Sequence, residues 1–189
     1  MSAPATARTP LPEGTAPVGA ALLIAGIATY AFFKVGTWAV GGEAEFKPIS
    51  SLWFATFALA PGFFLPLEQE IGRALSHRRA IRQGGRPVLE KVIRLGALLV
   101  TIVLVAILAF SPLIAANYFD GDWVMLAALM VAFAAYAPAI IARGICSGSG
   151  RFTDYAIVMG SDGVVRITLC VVLAVLGVTT ASAYGFAVA

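Results

Sequence analysis

Histidine occurs once in this chain, at His77, and cysteine twice, at Cys146 and Cys170. That leaves little from which to build a metal site, a histidine-based catalytic centre or a disulfide framework. Charged residues make up only 12% of the sequence, against about 25% in an ordinary soluble domain. No phosphate-binding P-loop, no H-E-x-x-H and no G-x-S-x-G is present. Closely spaced carboxylates occur as Glu43/Glu45 and Asp120/Asp122, both in expected outer loops. These absences argue against an ATPase or a hydrolase. The expectation is a protein that is not an enzyme and takes neither cofactor nor metal.

Apolar residues are what the chain has in excess: 60% of the sequence, with a mean hydropathy of +0.90. Such a chain belongs in a bilayer, and the expected fold is all-α, a polytopic transmembrane helix bundle. The net charge of +3 is no sign of nucleic-acid binding, because the basic residues cluster beside apolar segments, where they report orientation. Arginine outnumbers lysine ten to three and alanine is abundant, a usage associated with GC-rich bacterial genomes.

Five stretches reach the roughly 17 to 25 residues that a hydrocarbon core needs. They are Val18 to Val40, Ile49 to Leu67, Leu95 to Phe119, Trp123 to Ala142 and Tyr155 to Val178. A sixth begins near Ala181 and reaches Ala189 with no polar flank, so the chain is expected to stop partway into a sixth span. The uncharged run Ile167 to Ala189 offers a second register for the fifth span. Residues 1–17, with Pro4, Pro10, Pro12 and Pro17, read as a disordered tail, and 18–189 as one bundle.

Between spans two and three lie Arg73, Arg78, Arg79, Arg82, Arg86, Lys91 and Arg94. The loop Asp120-Gly121-Asp122 has no basic residue, and Arg143 and Arg151 flank the link after span four. The positive-inside rule then puts the N-terminus in the cytoplasm and Glu43, Glu45 and Asp120 outside. The basic stretch Ile71 to Leu95 reads as a helix extending span two, a hinge at Gly84-Gly85 and a lead-in to span three. Its arginines suit anionic lipid headgroups.

Arg166 is the residue that asks for an explanation. It lies roughly 16 Å into the fifth span, near the middle of a core about 30 Å thick, and four residues after Asp162. A charge at that depth costs about 3 kcal/mol on insertion scales, so it faces protein or a wet cavity. Two readings stand: a structural i, i+4 pair, or a polar transport cavity. Lys34, about 24 Å into span one, either snorkels to the outer interface or joins that cavity. Span two ends in Pro61-Gly62-Phe63-Phe64-Leu65-Pro66, which predicts a kink; Pro112 and Pro138 add others. Glu68, Glu70 and Arg73 follow, either as an interfacial ion pair or as the mouth of a cavity.

The order of these pieces resembles the oligosaccharide (polysaccharide-export) flippases of the multidrug/oligosaccharidyl-lipid/polysaccharide superfamily. The resemblance rests on Pro66-Leu67-Glu68-Gln69-Glu70-Ile71-Gly72-Arg73-Ala74-Leu75, and on Gly148-Ser149-Gly150-Arg151-Phe152 with Arg143 before it and Tyr155 and Arg166 after it. It covers about residues 18–189 and corresponds to the N-terminal half of such a protein, with the second bundle absent. It implies alternating access: two bundles rock around a cavity and carry a polyprenyl-diphosphate-linked oligosaccharide from the inner to the outer leaflet of a bacterial plasma membrane. A glycan polymerase or glycosyltransferases would be its partners. A peptidoglycan-precursor flippase, a multidrug/cation antiporter and a non-transport membrane assembly partner are the competing readings.

Overall fold

The computed structural model describes residues 14–189, and the elements among them are helices, without a strand. α1 (Thr15–Val40) leads through Gly41 and Gly42 into α2 (Glu43–Phe54), a π-helical turn (Ala55–Leu59) and α3 (Ala60–Ala80). These last three form one continuous helix of 38 residues. α4 (Arg86–Ala109), α5 (Ser111–Tyr118), α6 (Trp123–Gly148), α7 (Phe152–Val175) and α8 (Ala181–Val188) follow. Five helices are long and apolar enough to cross a membrane, so the expected all-α bundle is the observed one.

Several boundaries move. α1 begins at Thr15, which makes the end of the expected tail helical; the rest of that tail, 1–13, lies outside the described residues. α7 covers Phe152–Val175, which selects the first register of the fifth span over Ile167 to Ala189. The third span divides, with α4 ending at Ala109 and α5 starting at Ser111. Pro112 explains the break, since it has no N–H for the carbonyl of Leu108 and its ring crowds that oxygen. Pro66 and Pro138, by contrast, sit inside unbroken helices. The expected helical extension and hinge are present, as α3 runs to Ala80 and α4 starts immediately after Gly85. Asp122 caps α6, its carboxylate accepting from the amides of Val124 (2.8 Å) and Met125 (3.1 Å).

Successive spans alternate in direction. Gly41-Gly42 and Asp120–Asp122 therefore lie at one end, the acidic end, and 81–85 and 149–151 at the other, the basic end. Two parallel helix pairs dominate the packing. In the first, α1 meets α7 through small residues: Gly160 lies against Ala21, and a Cβ added at Gly163 would come 3.2 Å from both Ala25 Cα and Ala28 Cβ. In the second, α3 meets α6 more closely still. A Cβ at Gly144 would sit 3.0 Å from the Glu68 carbonyl oxygen, and one at Gly148 would sit 2.9 Å from that of Gly72. Between helices in lipid there is little hydrophobic gain, so this close approach and its dispersion contacts carry the association. α4 lies against the second pair, where Gly96 faces Ile141 and Leu67.

Towards the acidic end the pairs are joined by a cluster of rings. Phe32, Phe33, Phe46, Trp53 and Phe57 stack edge-on or tilted, with neighbouring centroids 5.1 to 6.0 Å apart.

Candidate functional site

The π-helical turn has a cause in the sequence. Pro61, in the first turn of α3, has no N–H for the carbonyl of Phe57, and its ring would clash with that oxygen. The turn before it widens instead of breaking. The widened turn presents Thr56 and Phe57 to α7, where Arg166 waits: its Cζ lies 4.3 Å from the centroid of the Phe57 ring.

Arg166 is 4% exposed. It is about 21 Å from the start of α7, since that helix begins three residues earlier than expected, and so it lies slightly past the helix midpoint. Its Nη2 donates to Asp162 Oδ2 at 2.6 Å, as the i, i+4 spacing predicts. Asp162 keeps 60% of its side chain exposed, and Arg166 Nε is buried with no partner. Both residues line a cavity of about 500 Å³ whose other polar walls are Thr29, Trp53, Thr56, Tyr136 and Arg143. Among the described residues, three buried side-chain polar atoms lack a partner: Trp53 Nε1, Thr56 Oγ1 and Arg166 Nε. All three belong to this wall. Those three atoms carry almost no accessible surface, so the donors the wall offers a guest come from its other polar side chains, Arg143, Tyr136 and Thr29.

The second polar cluster lies nearer the basic end. Arg143 donates to Glu68 Oε2 from Nη2 at 2.7 Å and from Nε at 3.1 Å, and the Tyr155 hydroxyl donates to Glu68 Oε1 at 3.0 Å. The carboxylate is thus satisfied on both oxygens, as a side chain only 10% exposed requires. Arg143 faces the cavity, whereas Glu68 and Tyr155 line a separate cleft of about 490 Å³ with Gln69, Arg73 and Phe152. The cluster is the partition between the two spaces.

No match to known proteins was found. Neither a family model, nor a curated protein, nor a solved structure resembles the chain closely enough to assign it. Function must therefore be argued from the geometry.

The structure separates residues that the sequence reading grouped. Asp162 and Arg166 share the cavity, but Lys34 does not line it. Lys34 is exposed and borders a cleft of about 570 Å³ with Tyr30, Trp38 and Glu43 at the acidic end. The reason is its position on α1, well beyond the stretch Leu22 to Thr29 that faces the cavity. Glu68 sits in the partition, whereas Glu70 and Arg73 form an exposed pair at 2.7 Å. Arg143, Tyr155, Tyr136, Trp53 and Thr56 were not among the candidate site residues. In the sequence Arg143 reads as a flanking positive charge. The signal that it does more was Glu68, an acid at the end of an otherwise uncharged span with no cation in pairing register on its buried side.

Proposed function

We propose that this bundle is half of a flippase-type transporter, which moves a polyprenyl-diphosphate-linked oligosaccharide from the inner to the outer leaflet by alternating access. The observation that carries this reading is Arg166: a buried guanidinium inside a membrane-length helix, one donor spent on Asp162, on the wall of a donor-rich cavity. A diphosphate offers many acceptor oxygens and needs such donors. A cation exporter needs an acid free to titrate or to bind its cargo, and Asp162 is held by Arg166. Transport of this kind breaks no covalent bond, in keeping with the lack of catalytic motifs. In this reading the bundle rocks against a second one in a bacterial plasma membrane, with the N-terminus and the basic end in the cytoplasm. Arg82, Lys91 and Arg94, exposed at that end, then meet anionic headgroups. A glycan polymerase or glycosyltransferases supply and consume the cargo.

The test is surface glycan display with membrane abundance measured alongside. Arg166→Ala abolishes display while the protein still inserts. Arg166→Lys recovers part of it, because lysine keeps the charge but loses the planar fork. If the pair is purely structural, Asp162→Asn with Arg166→Gln restores display, and that result rejects the headgroup role. Orientation has its own test after the two native cysteines are replaced. A cysteine at Gly121 reacts with an impermeant thiol reagent in intact cells and one at Gly84 does not.

A further inference from the structure

All five ion pairs between described residues lie within one helix and its cap or within one parallel pair. Glu68–Arg143 joins α3 to α6, Asp162–Arg166 is internal to α7, and Arg151, at the cap of α7, pairs with Asp154 in its first turn. Each pair of helices is also packed within itself at glycines, with no room for a Cβ at Gly144 and Gly148 in α3/α6 and tight space at Gly163 in α1/α7. The seam between α1/α7 and α3/α6 is held differently at its two ends. Towards the acidic end it is filled by the ring cluster and by α8, whose Tyr184 is fully buried. Towards the basic end the Tyr155 hydroxyl crosses it to reach Glu68.

From this we propose that Tyr155 is the latch of a gate: α1/α7 swings away from α3/α6 at the basic end, joining the 500 Å³ cavity to the cleft beyond the partition, while the acidic end acts as the hinge. Charge economy makes this possible. When Tyr155 leaves, Glu68 keeps both N–H donors of Arg143, so no buried charge is stranded and the opening costs one hydrogen bond to a charged group. Gly150, with φ 71°, gives the link between α6 and α7 its left-handed turn beside the latch, and Arg79 of α3 donates to the Ser149 carbonyl there at 2.6 Å, so the link stays with α3/α6. The proposal stands on this packing and holds whatever the cavity carries, so it stands or falls apart from the flippase reading.

The experiment uses the whole chain in lipid nanodiscs, with Cys146 and Cys170 replaced by alanine. Spin labels at His77 and Thr153, both exposed, report the basic end; labels at Trp38 and Trp123, also exposed, report the acidic end. Tyr155→Phe keeps the ring and removes the donor. It raises the ratio of open to closed molecules about tenfold, seen as a longer His77–Thr153 distance, and leaves Trp38–Trp123 unchanged. A distribution identical to that of the parent, or widening at the acidic end instead, overturns the proposal. A second measurement needs no change at Tyr155. A cysteine at Ala132, buried on the cavity wall, is labelled by a thiol reagent in protein whose cysteines at His77 and Thr153 are either joined by a bis-maleimide or each capped singly beforehand. Joining the seam slows labelling at least tenfold if the gate is at the basic end; an unchanged rate overturns it.

Discussion

The acidic and basic ends of the bundle are closed by different kinds of contact. Towards the acidic end, five rings interlock across the seam, a closure that depends on shape and on many small dispersion terms. At the basic end a phenol reaches across to a carboxylate that a guanidinium already holds, a closure that depends on one hydrogen bond with a defined partner. Packed rings lose contact continuously as they part, so that end resists separation along its whole length. A hydrogen bond is made or broken, so the other end has two states. One helical pair can therefore pivot on the first and switch at the second.

Single substitutions can break or sharpen this contrast. The largest effect is expected at Glu68. Glu68→Ala leaves Arg143 as an uncompensated, mostly buried charge and lowers stability in detergent by about 4 kcal/mol. Glu70→Ala, two residues along on the exposed side, leaves the melting temperature unchanged. Equal losses from the two would show that burial is not what separates them. Phe46→Ala, at the acidic end, costs about 3 kcal/mol by opening a void among its neighbours, whereas Tyr155→Phe costs about 1.5 kcal/mol. If Tyr155→Phe destabilised as much as Phe46→Ala, the basic end would be a bolt and not a latch. Gly148→Val comes next: its Cβ would meet Leu75 Cβ at 2.8 Å and the Gly72 carbonyl at 2.9 Å, a cost of about 2 kcal/mol. Smallest is Gly19→Ala, where an added Cβ meets nothing within 4 Å; a stabilisation of at most about 1 kcal/mol is expected from helix propensity. Thermal unfolding of the purified variants reads all of these.

How well the sequence anticipated these features depended on how far each one reaches along the chain. Spans follow from local hydropathy, and all five appear. The Asp162–Arg166 contact follows from helical spacing, and it forms at 2.6 Å. Pro61 announced a disturbance in the second span, though not that the helix would absorb it as a widened turn. Glu68, by contrast, meets Arg143 across 75 residues of sequence and Tyr155 across 87. No periodicity links such positions; the parallel docking of α3 on α6, set by Gly144 and Gly148, brings Arg143 to Glu68, and the tight link after α6 turns Tyr155 of α7 towards it. Lys34 illustrates the complementary case. Its depth along α1 was readable, but how far along α1 the cavity reaches was decided by the helices packed against it.

The widened turn at Ala55–Leu59 also fixes a phase. An α-helix turns about 100° per residue, and a π turn accommodates one residue more than an α turn. The stretch before it points Ile49 and Leu52 inward, and the stretch after it points Phe64 and Glu68 inward. Deleting a single residue within that turn would return it to an ordinary α turn and leave Glu68 facing Arg143, because the extra residue is taken up inside the turn itself. Deleting one from a regular stretch with no such turn to absorb it would rotate everything beyond by about 100°. The widened turn is thus a place where the residue count of this helix can fall by one and the partition survive.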